Sequence, residues 1–138
     1  VVGDASTVRN VTFRNCDSYY CQGFVMNVMV GPNYWSASDD WGTIENITFD
    51  GIRYYNDFSG ETVSVMDGLE VSPYTQGIQI SNRDTRPGGT GRFGEDSALQ
   101  NITFTNIVQD GKKVTALDQL PIVYVGTSAA GNCVQLIA

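Results

Sequence analysis

The sequence predicts an all-β chain, a right-handed parallel β-helix of about three turns with side loops, and three observations predict it. One nonapeptide pattern occurs three times. The stretches between the copies keep no helical period. The composition is that of a β-protein, with Gly, Val, Ile, Thr and Tyr plentiful and Ala and Leu few. Repeated strand-and-bend units that stack on their neighbours are the mark of a solenoid.

The copies run from Val8 to Cys16 (V-R-N-V-T-F-R-N-C), from Ile44 to Ile52 (I-E-N-I-T-F-D-G-I) and from Leu99 to Ile107 (L-Q-N-I-T-F-T-N-I). Aliphatic residues fill offsets 0 and 3, Phe fills offset 5, and an aliphatic or Cys fills offset 8. Asn at offset 2 and Thr at offset 4 are the same in all copies. The step of two is strand alternation, and the steps of three on either side are bends. On this register Phe13, Phe49 and Phe104 form one interior column, with Val11, Ile47 and Ile102 in a second. Phe49, in the middle copy, is expected to be the costliest of the three to truncate. Handedness follows the rule for parallel crossovers.

The remaining elements follow in order. Gly23 to Gly31 is a short apolar run bounded by glycines and predicts a second strand of the first turn. Residues 32–43 are a loop carrying Tyr34, Trp35, Asp39, Asp40 and Trp41. After the second copy, Thr62 to Met66, Leu69 to Val71 and Gly77 to Ile80 alternate as strands do. Residues 81–98 form a polar, Gly-rich loop, and Asp110-Gly111-Lys112 a turn after the third copy. Leu120 to Val125 and Cys133 to Ile137 are the last strand candidates. Tyr19-Tyr20 and Tyr54-Tyr55 are read as a ladder between turns. The copies stand 36 and 55 residues apart, more than a bare turn needs, so loops must bulge from the sides, where binding residues gather.

At 138 residues the chain is a single domain or a fragment of one. No leader is recognisable, so it is expected to be mature or a fragment. Neither end offers an amphipathic capping helix, which predicts part of a longer β-helix, or a piece that stacks on another chain. A net charge of −7 argues against nucleic acid and anionic membranes as partners, and an acidic polymer would need a local cluster of Arg or a bridging cation. The longest apolar run is far too short to cross a bilayer. With no His, acid–base chemistry falls to carboxylates. Cys16 takes the offset where the other copies have Ile and is expected to point inward. Cys21 lies five residues on and is the candidate partner for a Cys16–Cys21 disulfide across a tight turn. Asn10, Asn46 and Asn101 each open an N-x-T sequon. They are glycosylation candidates, or else corner residues bonded to their equivalents in the next turn.

These residues resemble the turns of pectin-lyase-like right-handed β-helices, most closely the later turns of the polygalacturonase family of glycoside hydrolases. In that family a G-I-R-I-K strand, a Gly-rich loop and an x-E-N-I-T-F-x-N-I strand follow one another. Gly77 to Ser81, Thr85 to Gly89 and Leu99 to Ile107 are similar in order and spacing, and Gly23 to Asn27 before Ile44 is a looser match. The resemblance covers most of the chain, but its strand motifs report stacking rather than chemistry. The family's substrate-binding Arg and Lys fall on Gln79 and Ser81, or on Val25 and Asn27. Its N-T-D, D-D and G-H-G signatures lie upstream of that strand, and G-H-G is absent here. Asp67 in Met66-Asp67-Gly68-Leu69-Glu70 also resembles the T-D-G-L-E stretch of the dextranase and isopullulanase family, which places its D-D after the T-D-G.

Glycoside hydrolysis takes two carboxyl groups, roughly 5–5.5 Å apart for retention or about 6.5–9.5 Å for inversion. Asp39, Asp40 and Asp67 are the catalytic candidates, with Glu70 nearby. Tyr34, Trp35, Trp41 and Gln79 are the substrate-binding candidates, the aromatic faces being suited to stacking on sugar rings. Gly89 to Gly94 matches G-x-G-x-x-G, but no strand directly precedes it and no helix follows, so it is loop glycine. No cofactor is expected; a loop Ca²⁺ stays open. The expectation is a portion of an extracellular, secreted or cell-surface protein acting on polysaccharide. It is a glycoside hydrolase whose main catalytic residues lie outside this chain, leaving the isolated chain inactive. The alternative is a non-catalytic structural or glycan-binding β-helix of a surface fibre, adhesin or tailspike.

Overall fold

Two left-handed residues shape each repeat. Asn10, Asn46 and Asn101 have φ of 58°, 57° and 54°, and a second corner is made by Asn15 (56°), Gly51 (71°) and Asn106 (52°). Each lies inside one of the three-residue steps. Asn and Gly are the residues that take this conformation at least cost, which is why they alone fill these offsets. Between the corners four residues run straight, so Val11 and Phe13 point one way and Thr12 and Arg14 the other.

The computed structural model describes residues 2–60, 72–125 and 133–138. Over them the chain is mostly β. Its strands are β1 (Thr7–Arg14), β2 (Asp17–Ser18), β3 (Phe24–Met29), β4 (Thr43–Asp50), β5 (Arg53–Tyr54), β6 (Gly77–Ser81), β7 (Leu99–Thr105), β8 (Val108–Gln109), β9 (Lys112–Lys113), β10 (Ile122–Val125) and β11 (Val134–Ile137), with short 3-10 turns at Asp96–Ala98 and Leu117–Gln119. The strands expected at 62–66 and 69–71, and with them Asp67, lie outside the described residues.

The strands form three sheets, ordered β1-β4-β7-β11, β2-β5-β8-β9 and β10-β6-β3. The chain passes through the first, second and third sheet in that order, repeats the order, and enters the first sheet a fourth time at β11. All pairings between strands are parallel except β8 with β9, a hairpin that places Lys112 and Lys113 on the edge of the second sheet. Charged residues on an edge discourage further pairing there.

Register follows the repeat: Val11 pairs Ile47 and Phe13 pairs Phe49, while Ile47 pairs Ile102 and Phe49 pairs Phe104. The Phe rings stack at 5.2 and 5.3 Å with planes 11° and 12° apart. Leu136 of β11 continues that column below Phe104. Exposure therefore falls along it, from 48% at Phe13 to 6% at Phe49 and 0% at Phe104. The fourth strand makes Phe104, not Phe49, the most enclosed of the three. The core gathers these columns with Met26, Val28, Ile78 and Ile80 of the third sheet and Tyr54 of the second.

The Asn side chains run as a second ladder. Asn46 Nδ2 donates to Asn10 Oδ1 at 3.0 Å, Asn101 Nδ2 to Asn46 Oδ1 at 2.7 Å, and Gln135 Nε2 to Asn101 Oδ1 at 3.1 Å. Nδ2, the atom a glycan would occupy, is the donor at Asn46 and Asn101.

Two expectations are corrected. Cys16 is exposed, because no strand of the described residues covers β1 on its outer side, and it forms no bridge to Cys21. The segment between them opens with the extended strand β2 and bends only at Tyr20, and each thiol turns to a nearby carbonyl, Cys16 to Arg14 and Cys21 to Gly23. The tyrosine ladder is shifted by one residue. Ser18 pairs with Tyr54, which points inward and is buried, donating its hydroxyl to Gln109 Oε1 at 2.6 Å. Tyr19 stacks on Tyr55 instead.

Candidate functional site

The outer face of the third sheet and its two flanking loops collect most of the candidate residues. Asn27, Gln79 and Val123 share one register row across β3, β6 and β10. Gln79 lines a groove of about 420 Å³ together with Arg83, Asp84, Arg86 and Val125. Just beyond it, Ser81 Oγ and Asn82 Oδ1 are buried and meet no hydrogen-bond partner among the described residues.

A charged knot ties the loops together. Asp84 has its carboxylate fully buried, and Arg86 clamps it with Nε on Oδ1 at 3.0 Å and Nη2 on Oδ2 at 2.8 Å. The Thr90 hydroxyl and the Arg86 and Thr90 amides complete its shell. The Arg86 guanidinium, and after it these further donors, hold the Asp84 carboxyl far below the usual carboxylate range. The other end of the same guanidinium pairs with Asp39 from the first loop. A buried carboxylate persists when its lone pairs are met by a bidentate Arg and by amides.

The sequence-predicted residues separate here. Asp39 is an exposed carboxylate held by Arg86, whereas its neighbour Asp40 accepts from the Ser38 hydroxyl at 3.3 Å. The two acids thus serve different partners. Trp41 is a packing residue: a side chain at Gly31 or Gly94 would come within 2.6 or 2.4 Å of its ring, and Arg92 lies over it at 5.7 Å. Tyr34 and Trp35 meet edge to face at 5.3 Å and stay exposed, Trp35 at 81%. Gln79, on β6, lines the groove.

Sequence reasoning missed Asp84, Arg83, Arg86 and Arg92. The signal was present: three of the six arginines fall within ten residues of an acidic chain. Arg83 donates to Gly91 O at 3.1 Å and lies 6.0 Å over the Phe93 ring. Neither Arg83 nor Arg92 has a carboxylate partner among the described residues. The G-x-G-x-x-G stretch is the tip of this loop, where Arg83 bridges Phe93 in antiparallel fashion. Among the described residues no group of metal-ligating side chains gathers, and no helix is long and apolar enough to cross a membrane.

No family model matches the chain, and no match to it was found among curated proteins or solved structures.

Proposed function

We propose that the three sheets are the walls of a right-handed parallel β-helix. On this reading the chain is a portion of an extracellular carbohydrate-active protein, a polysaccharide glycoside hydrolase with its main catalytic residues outside these 138 residues. The observation that carries the reading is the groove over Gln79, lined by Arg83, Asp84 and Arg86 of the Arg-bearing loop. A long shallow sheet face with loop-borne aromatic and polar groups on one side suits a polymer better than a small, enclosed ligand. Right-handedness rests on the general rule for parallel crossovers.

Further support comes from the first pass. Val8, Val11, Phe13, Met26 and Phe49 line an apolar hollow of about 570 Å³ at the uncovered end of the stack. Val2 already pairs in parallel with Val30 beside β3. An additional parallel turn would complete both features. The engagement of Asp39 by Arg86 supports an isolated chain without hydrolytic turnover, since neither Asp39 nor Asp40 is presented as a free pair of acids.

The regular Asn and Phe ladders equally suit a rod-like, glycan-binding β-helix of a surface fibre. The upstream coding sequence separates the two: an N-T-D, D-D and G-H-G series favours the hydrolase, and more N-I-T-F repeats alone favour the rod. For the chain itself, a reducing-sugar assay on polygalacturonate and dextran is expected to give no turnover. Trp35→Ala and Arg83→Ala are expected to weaken polymer binding. Turnover lost in Asp39→Asn, Asp40→Asn or Asp67→Asn would place the chemistry within these residues and sink the proposal that it lies elsewhere.

A further inference from the structure

A second aromatic-lined hollow lies away from the third sheet, just beyond the strands of the second. One residue past the paired Ser18, Tyr54 and Gln109 come Tyr19, Tyr55 and Asp110. The Tyr19 and Tyr55 rings are 5.4 Å apart and tilted by 32°. Tyr54 is spent in the core at 2% exposure, yet Tyr19 and Tyr55 remain 61% and 42% exposed. Tyr20 meets Phe58 edge-on at 5.5 Å, and these rings with Asp57 and Asp110 line a hollow of about 400 Å³. That is the size range of small-ligand sites.

Its charged groups among the described residues are two acids, beside Ser59 and the tyrosine hydroxyls, and no Lys or Arg of the described residues lines it. Asp110 Oδ1 accepts the Asn56 and Asp57 amides at 2.8 and 3.2 Å, which fixes the carboxylate and leaves Oδ2 to face a ligand. Asp57 Oδ1 accepts the Ser59 amide at 2.9 Å, and that bond holds its carboxyl below the usual range. A neutral pyranose matches this set. Its C–H face packs on exposed aromatic rings, and its hydroxyls donate to carboxylates, which are acceptors only. An acidic sugar would meet two like charges with no cation to offset them.

We propose that this hollow binds neutral sugar residues of a glycan, at a place separate from the third-sheet groove; the inference rests on the carbohydrate reading above. The test is affinity electrophoresis and calorimetry of the chain with dextran, a soluble neutral β-glucan and polygalacturonate. The chain is expected to bind at least one neutral polymer. Tyr19→Ala and Tyr55→Ala should each raise that Kd roughly tenfold, Asp110→Asn should raise it while keeping the backbone bonds to Oδ1, and Tyr55→Phe should restore most of the affinity. Circular dichroism and melting curves establish that the variants fold. Neutral-polymer binding that is unchanged in both alanine variants overturns the hollow and leaves the groove as the binding face. Binding to polygalacturonate alone overturns the hollow but keeps the carbohydrate reading, and binding to none of the three overturns both.

Discussion

Along the first sheet the Asn, Thr and Phe of the three repeats meet their own kind, whereas in the loops beside the third sheet no contact occurs twice. Asn10, Asn46 and Asn101 hand one hydrogen bond from strand to strand, and three Phe rings tile at 5.2 and 5.3 Å. In the loops Arg86 joins buried Asp84 to exposed Asp39, Arg92 covers Trp41, and Trp41 fits between two glycines. The sheet is stabilised by repetition, so its energy is spread over many equivalent contacts. The loops depend on a few charges, centred on Arg86, whose pairings occur only once. Repetition therefore marks architecture, and unrepeated charge marks the place to look for function.

The comparison is best broken at its strongest point. Phe104→Ala is expected to cost roughly 3–5 kcal/mol, because it empties a site enclosed on both sides by Phe49 and Leu136. Urea unfolding measures it directly. Next comes Asn46→Ala at roughly 3–4 kcal/mol, about 1–2 for an Ala forced into a left-handed corner and about 1 for each of two lost hydrogen bonds. Asn46→Gly should recover the backbone share and leave only the ladder's. Hexosamine found by mass spectrometry on both Asn46 and Asn101 of natural material would show that the ladder is not their role.

The loops are sharpened by pH. Asp84 is held below its unfolded pKa of about 3.9, so its contribution is complete above that value and fades as pH falls toward its folded pKa. Thermal melts of the parent should therefore lose stability below about pH 4. Arg86→Ala should lower the neutral-pH melting temperature and flatten that acid slope. An unchanged slope would detach Asp84 from the knot. Phe13→Ala is a smaller effect, roughly 1 kcal/mol, since half its ring already meets water. Equal costs for Phe13 and Phe104 would mean that the first strand is covered. The smallest effect is Cys16→Ser, within about 0.5 kcal/mol. Thiol titration of the unfolded parent should count three thiols per chain.

Much of the first sheet was legible. The steps of three announced the corners, and Asn or Gly at offsets 2 and 7 are the residues that corners of this hand accept. The Phe column followed from alternation alone. Less legible was β11, which carries no N-I-T-F signature; Leu136 stands in for Phe, and Gln135 reaches Asn101 from opposite Thr103. That one strand moved the most enclosed position from Phe49 to Phe104. The one-residue shift of the tyrosine ladder was legible in the repeat step, since 36 residues on from Ser18 and Tyr19 stand Tyr54 and Tyr55, and reading the two dipeptides as aligned overlooked it.

What the sequence determined by itself is whatever recurs within a few residues: strand alternation, the left-handed corners, and the identity of residues that must meet their own copies. These depend on local sterics and on a period that each copy restates. The tertiary structure alone decided which loops lie side by side. Asp39 and Arg86 are 47 residues apart and belong to no repeat, so no local rule pairs them. They meet because stacked strands carry the two loops to the same side of the third sheet. There burial of Asp84 demands a cation, and Arg86 is the one within reach.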